Sequence, residues 1–234
     1  IGVTQIIATD LASVPLLWVV PLFLYLMTFS VAFSPRIPMP AWVLGWLLGA
    51  FSLLAAYVVM TGRHSPFVLI ALTHLICFTL AALMCHRRLA DDRPSPARLT
   101  EFFFFLALGG VLGGAFNALV APAAFTLISE YPIALALAVC LRPAPRVSIG
   151  RFAWLNPAGA GQRWLALVAG VLATIAVYFG TGAAGRAAGL GVGSVENLQT
   201  IATLGVCFAT IMVLAWPGVT AAALAAAMLT GQYV

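Results

Sequence analysis

Long stretches of this chain carry no charge at all. No Asp, Glu, Lys or Arg occurs between Arg36 and Arg63, between Glu101 and Glu130, or after Glu196. A soluble fold must show water mostly polar groups, and a typical soluble chain is roughly 25% charged. Here charged residues make up 7% and hydrophobic residues 63% of 234 residues, with a mean hydropathy of +1.10. That deficit excludes a soluble enzyme, a nucleic-acid-binding domain and a disordered chain. It leaves lipid as the solvent, and an all-α, polytopic transmembrane helical bundle as the fold class.

A span needs about 20 apolar residues to cross a hydrocarbon core of about 30 Å. Eight segments qualify, near 9–33, 41–60, 66–85, 102–121, 124–141, 164–181, 197–216 and 218–234. The last is short and Ala-rich, so the expectation is a single transmembrane domain over 1–234 with seven or eight spans. Pro122 predicts a tight turn that pairs the fourth and fifth spans as a helical hairpin. Residues 1–33 are too long for one straight span and contain Asp10, Pro15 and Pro21. A break near Thr9–Asp10 is expected there, with Asp10 as a candidate N-cap. The chain opens on Ile1, within an apolar stretch, which suggests a piece of a longer protein.

All basic residues are arginine. The loops after spans one, three and five hold Arg36, Arg87, Arg88, Arg93, Arg98, Arg142, Arg146, Arg151 and Arg163, whereas those after spans two, four and six hold only Arg63 and Arg186. Positive charge collects on the cytoplasmic side of membrane helices, so the first set of loops is expected in the cytosol. The net charge of +5 is therefore read as orientation and headgroup contact, with no nucleic-acid partner. Cys77, Cys85, Cys140 and Cys207 lie in apolar runs with no metal-ligand spacing, and read as free packing thiols.

A few polar features stand out against this background. Gly109, Gly110, Gly113 and Gly114 form two overlapping small-xxx-small rows, extended by Asn117. This pattern predicts a helix-packing face with Asn117 bonding across it; the alternative is a ligand cleft along the glycines. Asp10 and Glu130 are carboxylates in apolar sequence, and Glu130 is expected about 9 Å inside its span at 1.5 Å per residue. An intramembrane carboxylate needs a partner or water. Asp10, Trp18, Glu130 and Tyr131 could line an outward-facing site for an amine cation or a proton; helix capping and interhelical bonding are the competing explanation. His74, mid-span, reads as a packing residue, with haem or pigment ligation as the alternative; no cofactor or metal is otherwise expected. The charged stretch from His86 to Glu101 reads as a salt-bridged loop or as a docking surface for a cytoplasmic partner. Gly189-Leu190-Gly191-Val192-Gly193-Ser194-Val195-Glu196 mimics a nucleotide loop but lacks a strand before it, and reads as a flexible connector.

Several of these motifs fall in a familiar order. Asp10-Leu11-Ala12-Ser13-Val14-Pro15-Leu16-Leu17-Trp18-Val19-Val20-Pro21-Leu22, Cys85-His86, Leu99-Thr100-Glu101-Phe102, Gly109 through Asn117 and Glu130-Tyr131-Pro132 resemble the second half of the membrane region of bacterial fused major-facilitator/spermidine-synthase proteins. The resemblance covers about residues 1–141. It implies a multi-pass protein of the bacterial inner membrane, with earlier helices and a later soluble domain similar to polyamine aminopropyltransferases. That domain's acidic residues have no matching positions in 1–234, so this chain is not expected to be catalytic. The functional expectation is a transporter-like membrane module binding a small cationic metabolite, with a fused or docked domain as partner. The alternative is a structural subunit of a larger membrane complex, possible haem or pigment association included.

Overall fold

A computed structural model describes residues 19–34, 40–62, 66–125, 130–142, 160–213 and 217–233. They form eight helices and no strand: α1 (Val19–Ala32), α2 (Ala41–Thr61), α3 (Phe67–Asp91), α4 (Leu99–Ala115, running on to Ala124), α5 (Glu130–Cys140), α6 (Ala160–Ala187), α7 (Val192–Val213) and α8 (Pro217–Tyr233). Four stretches, Ala41–Thr61, Val68–Asp91, Pro96–Ala124 and Gly161–Ala187, are long and apolar enough to cross a membrane. The all-α bundle therefore holds, with four of its helices able by length and composition to span a membrane. Over their described residues α1, α5 and α8 are apolar but shorter than a span.

Helix direction alternates along the chain. The end of α3 meets the end of α5, where Arg88 Nε donates to the Leu141 carbonyl at 3.1 Å. The end of α1 meets the end of α3, where Thr28 lies 3.1 Å from His86. The start of α8 reaches the same level, because Arg142 Nη2 donates to Thr220 Oγ1 at 3.0 Å. The far ends of α2 and α8 touch at the opposite end, through Met60 and Gly231. One end of the bundle thus holds Arg87, Arg88, Arg98 and Arg142, and the other holds Arg186.

The core sits between α2, α3, α5 and α8, built on Leu44, Leu48, Met84, Leu135, Val139, Leu224 and Met228. The Ala-rich α8, which the sequence marks as the weakest span, is the hub: it packs on α2, α5, α6 and α7. Small side chains on every face let four neighbours approach closely. Hydroxyls inside are satisfied locally, as Thr73, Thr174 and Thr203 each donate to a carbonyl one turn back in their own helix.

Two boundaries differ from expectation. α3 does not stop at residue 85 but continues to Asp91, so His86–Asp91 is helix rather than loop; Arg87 and Asp91 pair on it at 3.4 Å. Pro122 does not make the turn after span four. α4 passes through a π-helical turn, Phe116–Val120, in which the Ala121 amide donates to the Phe116 carbonyl, and ends only at Ala124. Proline has no N–H and its ring crowds the carbonyl four residues back; the wider π turn just before it makes room. The helix ends there, and Phe125 is extended.

Candidate functional site

α4 stands apart from the rest of the bundle. None of its most apolar stretch is buried, and it shares no extended contact with another helix among the described residues. Between it and α1, α3 and α5 runs a groove of about 910 Å³. Its walls are mostly aromatic and aliphatic: Tyr25 and Phe29 from α1, Phe78 from α3, Phe102 and Phe105 from α4, and Leu135 from α5. Gly109, Gly110, Asn117, Glu130 and Tyr131 line the same groove. The structure thus brings the glycine face and two of the expected cation-site residues to one place. Asp10 and Trp18 lie outside the described residues.

Among the described residues nothing packs onto the glycine face. A Cβ at Gly109, Gly110, Gly113 or Gly114 would meet nothing within 4 Å. Among the described residues Asn117 makes no cross-helix bond; its amide Nδ2 donates to the Gly113 carbonyl of its own helix at 2.9 Å. Gly109 and Gly110 instead leave the groove wall open.

Glu130 stands at the start of the described part of α5, after α4 has run on to Ala124. A carboxylate in a first turn is favoured by the helix dipole. Glu130 is half-buried, makes no hydrogen bond or ion pair among the described residues, and is the one Asp, Glu, Lys or Arg among them that lines the groove.

Tyr131 contributes its ring to the wall, but its hydroxyl is engaged elsewhere. It lies 2.8 Å from His74 Nδ1, with Tyr131 7% and His74 1% exposed. His74 does not line the groove. This pair joins α3 to α5 and holds Tyr131 in place. No cluster of three or more metal-ligating side chains occurs among the described residues.

The far end of the groove holds His86, which the sequence assigns to a loop. It stacks edge-on against Tyr25 and Phe29, with ring centroids 4.7 and 5.3 Å away. Thr28 donates its proton to the Tyr25 carbonyl at 2.8 Å. The Thr28–His86 contact therefore uses Nδ1–H as donor, which leaves Nε2 of the neutral ring as an acceptor.

Arg142 was counted among the loop arginines, yet it is 4% exposed. It turns inward past the end of α5, over Gly49 and onto Thr220, and its Nε has no partner among the described residues. Burial pulls its guanidinium down to about 10. Nothing in the sequence around it distinguishes it from its neighbours Arg146 and Arg151.

No protein-family model, curated protein or solved structure matches this chain.

Proposed function

We propose that this chain is the binding module of a transporter-like, multi-pass membrane protein of the fused major-facilitator/spermidine-synthase kind, taking a small organic cation. The ammonium sits at Glu130 and the apolar body lies along the groove, against Phe102, Phe105 and Tyr131. The observation that carries this is that Glu130 is unpaired among the described residues: such a carboxylate in a largely apolar groove attracts a cation strongly, because little else there solvates either charge. The arginine-rich end faces the cytosol, by the distribution of arginine between the loops.

The test uses the whole chain in detergent micelles, with hexylammonium, spermidine and neutral hexanol as probes. Saturable binding of hexylammonium over hexanol is expected. Glu130→Gln should weaken it about 10- to 100-fold, the value of one hydrogen bond to a charged group. Equal affinity for hexanol, or no change in Glu130→Gln, removes the reading. Spermidine against hexylammonium shows whether the groove takes a polyamine or a single ammonium with an apolar tail.

A second reading draws on the open glycine face of α4: a partner helix fills it, and the chain serves as a structural subunit. Stoichiometric co-purification with a membrane partner, lost in Gly110→Leu and kept in Glu130→Gln, would favour that role.

A further inference from the structure

A second cavity, of about 830 Å³, opens at the end of the bundle opposite the arginine-rich one. It lies between the ends of α2, α6 and α8 and the first turns of α7. Unlike the groove, its wall carries charge of both signs. Arg186 comes from the last turn of α6 and Glu196 from the second turn of α7. Both are exposed, and neither makes an ion pair or a side-chain hydrogen bond among the described residues. The chain has few charges to place. Among the described residues Arg186 is the one arginine at this end, and it lines the same cavity as one of the two carboxylates found there.

The wall between the two charges is built rather than incidental. α6 turns into α7 through Gly189, at φ +73, with Leu190 N donating to the Gly185 carbonyl and Gly189 N to that of Arg186. These two bonds form a Schellman cap, which shortens the connector and brings Glu196 back beside the end of α6. The sequence suggests a longer connector over 189–196, but α7 begins at Val192. A Cβ at Gly182 would collide with the Gln199 amide, so glycine lets Gln199 in. Gln199 is 7% exposed, and its Nε2 is anchored on the Tyr178 carbonyl at 3.1 Å. Thr200, 3% exposed, completes the polar wall.

We propose that this cavity binds a small zwitterion, with its oxyanion on Arg186 and its ammonium on Glu196. A guanidinium suits a planar oxyanion, often by two parallel bonds, and a carboxylate suits an ammonium. Two opposite charges that share a cavity without pairing can be bridged by one molecule that carries both complements. A free amino acid and the phosphoethanolamine headgroup of a lipid share this chemistry.

The experiment is a binding measurement on the whole chain in detergent free of zwitterionic lipid. The probes are the common L-amino acids, γ-aminobutyrate and ε-aminocaproate as rulers of charge separation, and phosphoethanolamine. Propylammonium and propionate serve as half-ligands. Saturable binding of at least one zwitterion, with neither half-ligand competing at equal concentration, is expected. Arg186→Gln and Glu196→Gln should each weaken it about tenfold or more, the loss of one charge-assisted contact. Melting temperature should not move, since both side chains are exposed and unpaired among the described residues. Glu130→Gln should leave the affinity unchanged, which separates this site from the groove. Binding of phosphoethanolamine alone would identify a headgroup as the source; binding of amino acids would identify a soluble metabolite. No saturable zwitterion, equal binding of a half-ligand, or indifference to both substitutions overturns the proposal.

Discussion

Replacing Tyr131 by Phe removes one oxygen and tests how α3 and α5 are held together. The hydroxyl lies 2.8 Å from His74 Nδ1, and both side chains are buried. Phe preserves the ring that lines the groove and removes the hydroxyl's contacts with His74 and Cys77; a double-mutant cycle then isolates the His74 bond. In water-soluble cores a buried polar atom left unpaired costs about 1–3 kcal/mol. Interhelical bonds in membrane proteins are weaker, averaging about 0.6 and reaching about 1.7 kcal/mol, since the unfolded chain finds other partners in the membrane. His74 is 1% exposed, so water cannot replace the lost partner, which places the expected loss near the upper end, about 1–1.7 kcal/mol. Equilibrium unfolding in mixed detergent, followed by tryptophan fluorescence, measures it. A double-mutant cycle with His74→Leu should return a coupling of about 1 kcal/mol. Hexylammonium affinity should be unchanged in Tyr131→Phe, because the hydroxyl is committed to His74. A coupling of zero, or a loss of amine binding comparable to Glu130→Gln, would refute the assignment of Tyr131 as a structural wall residue.

Glycines at two places should respond oppositely to alanine. In Gly231→Ala the new methyl would lie 2.8 Å from Met60 Cγ and 3.0 Å from its Cα, and backbone cannot yield cheaply, so a loss of about 1–3 kcal/mol is expected in the same unfolding assay. Gly110→Ala meets open space inside a helix and should gain about 0.5–1 kcal/mol. Arg142→Met should be neutral or stabilising by about 1–4 kcal/mol, since the guanidinium is buried with one bond to Thr220 and an unpartnered Nε; a clear loss of stability would show that this cation has a strong partner. Pro122→Ala restores a backbone N–H and removes the ring, so α4 should close its π turn into regular helix; distances between spin labels on either side of Phe116–Val120 would report the change in rotation.

Much of the secondary structure is legible in the order of residues. A charge-free apolar run marks the helix at Ala41–Thr61 almost to the residue. The boundaries that escape are those where a charged or proline residue joins a helix instead of ending it. His86–Asp91 continues α3 because Arg87 and Asp91 pair one turn apart. Pro122 stays inside α4 because a π turn absorbs it.

By itself the sequence determined the solvent, the helical class and the separation of arginine between alternate loops, because each follows from local composition along one dimension. Only the tertiary structure decided which faces meet. These helices are apolar nearly all round, so no stripe in the sequence says which side is buried. That Ala-rich α8 lies at the centre, that the glycine face of α4 opens onto a groove, and that Arg186 and Glu196 share a cavity all depend on how close neighbouring backbones come. That distance is set by side-chain volumes on several helices at once.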